Sequence, residues 1–142
     1  MGIVKDLPGL LMPLLVIPIS IGIANCAGGY DSASRLRTAV YLLNHDVRWQ
    51  DWDGAEALCT AAARRALAER RRQWGTDVHV ADFDISRTVL NRDKTEARVT
   101  VVVSWYRMSD SILRRTVLEQ RWEQRRRDWL LASEQSRSGE RM

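Results

Sequence analysis

The histidines are the side chains of this sequence best suited to proton transfer near neutral pH. His45 is followed by Asp46, and an imidazole beside a carboxylate can work as an acid/base pair. Neighbouring residues on a helix point about 100° apart, so this order does not predict a catalytic dyad. His79 alternates with Val78 and Val80, which predicts a side chain at solvent or at a sheet edge. Both histidines therefore indicate surface positions rather than an active site.

Motifs for covalent, phosphate or metal chemistry are missing from the sequence. No Gly-x-Ser-x-Gly stretch could form a nucleophile elbow, and no glycine-rich loop could hold a phosphate. Cys26 and Cys59 are the only cysteines, too few for a disulfide framework or a zinc site. We therefore expect no catalytic residue, no metal and no cofactor, and the sequence favours a protein that is not an enzyme.

Tryptophan is the most unusual feature of the composition, with 6 in 142 residues. One interpretation is a ligand cavity at the concave face of a sheet, lined by Trp105 and Trp122 and closed by Trp49. A second is that the indoles fill the core, and a third is that they form an interface with a partner protein. The candidate pocket or interface residues are Tyr41, Trp49, Trp52, Trp105 and Trp122.

The first part of the chain is strongly apolar. Residues 7–30 carry no charge, and Lys5 and Asp6 are the only charges before them. As a helix, residues 7–24 would be about 27 Å long, close to the thickness of a membrane's hydrocarbon core. The segment holds all 3 prolines, which suit a transient signal better than a straight permanent anchor. An apolar run that ends in small residues, here ANCAGG, is typical of a secretory signal.

The stretch IANC, at residues 23–26, resembles a bacterial lipobox, although Asn25 departs from its pattern just before the scissile bond. The resemblance implies that Cys26 is the lipidation site of a bacterial lipoprotein. An uncleaved membrane anchor, an ordinary cleaved signal and a buried helix stay open as alternatives. Lipid or anchor would attach the protein to a membrane of the cell envelope, facing the periplasm or the outside. Residue 27, next to Cys26, is Ala and not an acidic residue of the kind that retains some Gram-negative lipoproteins in the inner membrane. This favours the outer membrane.

Two amphipathic helices are predicted after a short tether. The first is capped by Asp31 or Ser32 and extends to about Arg48, because apolar residues repeat at the spacing of one helical face: Leu36, Val40, Leu43 and Val47. The second covers residues 54–74 and ends at Gly75. Its predicted apolar face holds Leu58, Ala62 and Ala66.

Four strands are predicted next, from alternation of apolar and polar residues. The first contains a bulge near Ala81 and Asp82. One face of the second consists of Ala97, Val99, Val101, Val103 and Trp105. One face of the third consists of Ile112, Thr116, Leu118, Gln120 and Trp122. The fourth is short, at residues 129–133, and a polar, frayed end follows it. The predicted organisation is a signal or anchor (1–26), a tether (27–33), an α+β domain (34–135) and a disordered tail (136–142).

The order of two helices and a curved four-stranded antiparallel meander predicts an α+β fold, since the helices can cover one face of the sheet. Helices before such a sheet resemble the cystatin-like and nuclear transport factor 2-like fold group. The local resemblance lies in EARVTVVVSWYR, LRRTVLEQRWEQ and RRDWLLAS, in which Trp122 and Trp129 flank a polar turn. Asp128 is not followed by the glycine that this hairpin often has. The resemblance implies a compact variant of that fold.

The charges and the resemblance together give the functional hypotheses. The chain carries a net charge of +4, nearly all of its positive charge on arginine. An arginine run in the last predicted turn is a candidate contact for anionic headgroups: Arg125, Arg126 and Arg127. Export argues against nucleic acid as a partner. The principal hypothesis is a membrane-tethered, non-catalytic accessory or assembly domain of a bacterial envelope complex that acts through protein contacts. The alternatives are a module that binds a small apolar ligand and, third, an isomerase or dehydratase of the kind found in this fold group.

Overall fold

The structure is a computed structural model that describes Gly2 and residues 31–142. The predictions for Cys26, for the signal or anchor and for most of the tether therefore lie outside the described residues. The described chain runs through three helices and then four strands. In chain order they are α1 (Ser32–Arg48), α2 (Trp52–Ala57), α3 (Ala61–Trp74), β1 (Val78–Leu90), β2 (Glu96–Arg107), β3 (Arg114–Arg125) and β4 (Asp128–Gly139).

Helix α1 confirms the predicted first helix. The Asp31 carboxylate accepts a hydrogen bond from the backbone N–H of Ser34 at 2.7 Å, which satisfies one of the free donors at the helix start. This bond lowers the pKa of the Asp31 carboxyl below its ordinary value, with further help from the Ser34 hydroxyl. Leu36, Val40 and Leu43 are buried, so the apolar face predicted from their spacing is the face that packs on the sheet.

The predicted second helix is wrong as a single element, because the chain leaves the helical path at residues 58–60. There the backbone pairs with β4: the Thr60 N–H donates to the Leu131 carbonyl at 2.9 Å, and the Leu131 N–H donates to the Leu58 carbonyl at 2.8 Å. Thr60 then caps α3 through its hydroxyl, which accepts from the Ala63 N–H. Because α3 begins anew at Ala61, its buried face is shifted by one residue from the predicted face. The buried residues are Ala63, Leu67 and Trp74, and not the predicted Ala62 and Ala66.

The four strands form one antiparallel sheet in the order β1-β2-β3-β4. The bulge predicted near Ala81 and Asp82 is confirmed, since the pairing of β1 with β2 shifts register between Val80 and Asp82. A second shift follows between Ile85 and Arg87. Such bulges bend a strand and increase its twist, which helps the sheet to curve around the helices.

The ends of β3 and β4 differ from the prediction. Ile112 was expected on the inner face of the third strand, but β3 begins only at Arg114, and Ile112 lies in the preceding turn with 57% of its surface exposed. The predicted short fourth strand continues to Gly139, through residues expected to fray, because it pairs along the whole of β3. Gly139 ends this pairing at a positive φ, and a Cβ there would collide with the Arg115 carbonyl.

The core lies between the helices and one face of the sheet, which we call the covered face. This confirms the α+β fold class with helices packed on a four-stranded antiparallel sheet. All four strands contribute buried residues to the covered face: Val78, Ala97, Val99, Val101, Val103, Trp105, Thr116, Leu118, Gln120, Trp122, Trp129 and Leu131. The opposite face carries Arg98, Glu119 and Arg137, and it is solvated.

Candidate functional site

A polar network interrupts the apolar covered face at the middle of β3. The Gln120 amide donates to the Asn44 Oδ1 atom at 3.1 Å and to a Glu134 carboxylate oxygen at 2.7 Å. Its own oxygen accepts from the Trp122 indole at 3.2 Å. Arg70 of α3 completes the network by an ion pair with Glu134, whose side chain is 8% exposed. The side chains of this network therefore bind one another.

The free space beside this network is very small. A cavity between α1, α3 and the sheet has a volume of about 20 Å³, with Asn44, Arg70 and Glu134 among its lining residues and Met142 also against it. That volume suits about one water molecule, whereas ligand sites have volumes of roughly 300–1,000 Å³. The covered face is thus filled in this structure and holds no space for a small-molecule ligand.

The candidate tryptophans do not surround a common cavity. Trp105 and Trp122 are both 1% exposed and act as core side chains. The Trp105 indole donates to the Thr116 hydroxyl at 2.8 Å, and the Arg114 guanidinium lies 5.3 Å from its ring centre. Trp52 is also buried, with an edge-to-face contact to Trp74. These three residues are placed where the core-filling interpretation expects them.

Tyr41 and Trp49 lie elsewhere, on the exposed side of α1. Trp49 is 67% exposed and Tyr41 is 52% exposed, so neither closes the covered face. Their rings flank the imidazole of His45, at centroid distances of 5.8 Å for Tyr41 and 6.4 Å for Trp49. The result is an aromatic surface strip.

The histidines are bound to neighbouring groups at the surface. His45 Nδ1 lies 3.3 Å from an Asp46 carboxylate oxygen, although the sequence order did not predict that contact. The His45 side chain is 43% exposed and lines an open surface concavity together with Tyr41 and Asp82. His79 stacks on Tyr106, with its two ring nitrogens 3.0 Å from the Thr76 carbonyl and 3.3 Å from the Gln50 amide.

The described residues form no evident metal site and contain no activated thiol. Within residues 31–142, no group of three or more His, Cys, Asp or Glu side chains could hold a metal ion. Cys59 is buried, and desolvation raises the pKa of its thiol to about 12. At neutral pH this thiol stays protonated, which makes it a poor nucleophile. Of the helices in the described part, none has the length and apolar character to cross a membrane.

A large open groove lies on the side of the domain, and we call it the lateral groove. Its volume is about 520 Å³. Helix α1 forms one wall, residues 57 and 58 form another, and the start of β4 forms the floor. The lining residues are Arg35, Thr38, Ala39, Leu42, Ala57, Leu58, Arg127, Asp128, Trp129 and Leu130. The sequence did not single out this groove, because three separate elements build it.

One end of the sheet, which we call the basic end after its run of three arginines, lies beside the start of α1, and its turns also carry Asp93 and Asp128. The Trp129 indole donates to the Ser32 carbonyl at 2.9 Å, and the Ser32 hydroxyl lies 3.4 Å from the Lys94 carbonyl. These contacts bring the β1–β2 turn and the β3–β4 turn to the point where the N-terminal segment joins the domain. The second turn carries the candidate arginines Arg125, Arg126 and Arg127, all of them exposed.

The opposite end of the sheet carries the turn between β2 and β3, which we call the apolar turn. Three of its side chains are largely exposed: Met108 at 59%, Ile112 at 57% and Leu113 at 64%. The sequence missed them because Ile112 was assigned to a strand. The sequence did contain a signal for this turn. Asp110 and Ser111 are residue types that favour turns, and they lie between Met108 and the pair Ile112 and Leu113.

Polar contacts hold the apolar turn in one conformation. Asp110 accepts from the Ile112 N–H at 2.9 Å and pairs with the Arg114 guanidinium at 2.6 Å. The guanidinium and that N–H lower the pKa of the Asp110 carboxyl to about 2. Asp77 accepts from the Ser109 N–H at 2.9 Å, which lowers the pKa of its carboxyl as well. The polar side chains thus hold the turn from within while the apolar ones face solvent.

Comparison with solved structures identifies the fold group. A ketosteroid isomerase-like protein from Erwinia carotovora atroseptica matches with a TM-score of 0.60 at 10% identity, over 74% of this chain and 94% of that one. A protein of unknown function with a cystatin-like fold from Nostoc punctiforme matches with a TM-score of 0.53 at 8% identity, over 72% and 86% of the two chains. The chain has a cystatin-like, nuclear transport factor 2-like fold.

A third similar structure is the intermembrane space region of the chloroplast protein ARC6, with a TM-score of 0.55 at 8% identity over 75% of this chain and 95% of that one. No protein-family model and no curated protein matches the sequence. At these identities the likeness shows the fold alone, and the fold is compatible with a ligand-binding module. The likeness is no evidence of catalytic activity in this chain.

Proposed function

We propose that the chain is a membrane-tethered, non-catalytic accessory module of a bacterial envelope complex, and that it acts through protein contacts made by the apolar turn. The observation that carries this proposal is the exposure of Met108, Ile112 and Leu113 on a turn that hydrogen bonds hold in place. Large apolar side chains that are exposed together and held rigid are typical of an interaction surface.

The filled interior supports a non-catalytic role. An enzyme of this fold group would need an acid/base group inside a pocket, but the space beside Asn44, Arg70 and Glu134 has a volume of only about 20 Å³. The polar residues there bind one another and leave no convergent set aimed at a substrate. The contacts among Asn44, Gln120 and Glu134 are explained by a structural role of the network in the core.

The apolar turn lies at the end of the sheet opposite the N-terminal segment, which favours a protein partner over a membrane. The apolar segment 7–24 precedes α1, whose first residue lies at the basic end of the sheet. Strand β2 has 12 residues. At about 3.3 Å per residue, the apolar turn is about 40 Å from the basic end. A membrane that holds the N-terminal segment would therefore lie at the far side of the domain from the apolar turn.

Affinity recovery from native membranes tests the protein contact. The full chain should recover a partner, and the double variant Ile112→Ser, Leu113→Ser should lose that partner while remaining folded. Val89→Ser is the matched control, because Val89 is also exposed, at 46%, but lies on β1. Equal recovery by the double variant and the parent would contradict the role of the apolar turn.

Labelling with a fatty acid tests the lipid tether separately. The parent should incorporate label and Cys26→Ser should not, because the thioether forms at that sulfur. Cys59→Ser is the control, since this second cysteine is buried in the folded domain. Equal labelling of the parent and Cys26→Ser would remove lipidation from the proposal, although an uncleaved anchor would still tether the domain.

A further inference from the structure

We propose that the lateral groove binds one acyl chain of an anionic phospholipid, with the headgroup phosphate at the arginine end of the groove. The inference rests on the proposed membrane tether for the source of the lipid. It assigns a ligand class to a site that is separate from both the covered face and the apolar turn.

The shape and lining of the groove suit a hydrocarbon chain. Its volume of about 520 Å³ lies in the range of lipid and small-molecule sites. Leu42 and Leu130 are only partly covered, and Leu42 is 42% exposed. Burial of such side chains under an acyl chain removes apolar surface from water, which is the main source of affinity for a lipid.

The charges of the groove are concentrated toward one end. Arg127 belongs to the β3–β4 turn, and Arg35 lies in the first turn of α1, whereas Leu42 lies seven residues further along that helix. Seven residues correspond to about 10 Å along the helix axis. Asp128 also lines the groove, so the two arginines leave a net positive charge there. That charge would favour a phosphate at this end. A guanidinium group can also donate two parallel hydrogen bonds to a phosphate.

The arginine end of the groove lies on the side of the domain at which the membrane is expected. The arginine end is the end at which Trp129 contacts Ser32, directly after the apolar N-terminal segment. The exposed Arg126 lies in the same turn as Arg127 and adds to the positive potential, whereas Arg125 pairs with Glu123. A lipid could therefore keep its headgroup at the membrane surface while one chain enters the groove. About 10 Å of groove would hold much of a chain that spans half of a ~30 Å hydrocarbon core.

The hydrogen bonding of the groove favours a lipid over a peptide. A peptide in an apolar groove needs partners for its backbone, and the usual source is the open edge of a strand. Here the edge of β4 is already occupied at Leu131, whose N–H and carbonyl pair with Leu58 and Thr60. A hydrocarbon chain has no polar group to satisfy, so it needs no backbone partner in the groove.

Native mass spectrometry of the purified full chain tests the proposal. The protein is delipidated in a neutral maltoside detergent and titrated with dioleoylphosphatidylglycerol or with dioleoylphosphatidylcholine. The parent should bind phosphatidylglycerol about tenfold more tightly, because the charged contact to phosphate adds to the apolar one. Arg127→Gln should remove most of this preference. Arg126→Gln is the matched control, since it removes one charge from the same turn but does not line the groove.

A second variant tests the acyl chain. Leu42→Glu should weaken the binding of both lipids about tenfold, while Ile112→Glu at the apolar turn should leave both unchanged. Both positions are exposed, so neither change should unfold the domain. Binding by Leu42→Glu and Arg127→Gln that equals the parent would overturn the proposal. Loss of a recovered protein partner by these groove variants, with lipid binding intact, would instead assign the groove to protein and also overturn it.

The two proposals fail independently. The titration uses purified protein and defined lipids, so it gives the same answer whether or not the apolar turn has a partner. Recovery of a partner through Ile112 and Leu113 likewise does not depend on lipid in the groove.

Discussion

The covered face and the apolar turn both concentrate large apolar side chains, but they use them in opposite ways. On the covered face, Trp105 and Trp122 are each 1% exposed and fill the space under the helices. In the apolar turn, Ile112 and Leu113 are more than half exposed, although the turn is held by internal hydrogen bonds. The first region stabilises the domain, and the second is available to another molecule.

This difference separates the fold from the function. Polar and apolar side chains fill the space under the helices, whereas the apolar turn faces solvent. We therefore expect changes to the covered face to affect the free energy of unfolding, and changes to the apolar turn to affect binding. Four predictions test this separation, from the largest expected effect on stability to the smallest.

Replacement of a core tryptophan should have the largest effect. Trp105→Ala removes a fully buried indole and its hydrogen bond to Thr116, and should lower the free energy of unfolding by about 3–5 kcal/mol. Trp49→Ala is the matched control and should change it by less than about 0.5 kcal/mol, because Trp49 is 67% exposed. Urea unfolding followed by circular dichroism measures both. Similar losses for the two variants would contradict the assignment of Trp105 to the core.

Loss of the polar network should be the next largest effect. Gln120→Leu leaves the Trp122 indole and the Asn44 amide without this partner, and should cost about 1–3 kcal/mol of stability. Gln135→Leu, at an exposed position of β4, is the control and should be nearly neutral. The same unfolding measurement applies. A neutral Gln120→Leu would mean that water or rearranged side chains replace the network without loss.

Acid should loosen the apolar turn. The pKa of the Asp110 carboxyl is lowered to about 2, chiefly by the Arg114 guanidinium. A lowered pKa in the folded state stabilises the turn above the ordinary carboxyl value of about 4, and this contribution disappears as the pH falls from about 4 toward 2. Hydrogen exchange of the Ile112 amide, corrected for its intrinsic pH dependence, should therefore show protection that decreases over this interval. Constant protection down to pH 2 would contradict the role of Asp110.

Polar replacement of the apolar turn should have the smallest effect on stability. Ile112→Ser and Leu113→Ser should each change the free energy of unfolding by less than about 0.5 kcal/mol, because both side chains are mostly exposed. Thermal unfolding of the single variants checks this expectation. A loss of 2 kcal/mol or more would show that these residues belong to the core, and the contrast between the two regions would disappear.

Local patterns in the sequence were sufficient for much of the fold. The spacing of Leu36, Val40 and Leu43 predicted both α1 and its buried face. The alternation along β2 predicted its inner residues, and the change of phase near Ala81 predicted the bulge. In each case the information lies within a few residues along the chain, where periodicity and propensity act.

Features that depend on distant residues were not predictable in the same way. The break between α2 and α3 exists because Leu58 and Thr60 bond to Leu131, more than 70 positions later. The extension of β4 to Gly139 depends on its pairing with β3, since its polar sequence alone suggests a frayed end. Tertiary contacts decided both elements against their local signals.

The candidate site was predicted only in part. Five aromatic residues were grouped as a pocket or interface, but the structure separates Trp52, Trp105 and Trp122 from the exposed Tyr41 and Trp49. The lateral groove and the polar network were missed, because each joins residues from a helix and from the C-terminal half of the sheet. The position of the arginine turn beside the start of α1 likewise follows from topology.

Site-specific photo-cross-linking in native membranes tests the central claim most directly. A photoreactive side chain at Leu113, in the apolar turn, should cross-link the tethered full chain to a protein partner in high yield. The same probe at Val89, which is also exposed but lies on β1, should give only background. The account predicts a cross-link that is specific to the apolar turn. No cross-link at Leu113, or equal cross-linking at Leu113 and Val89, would contradict it.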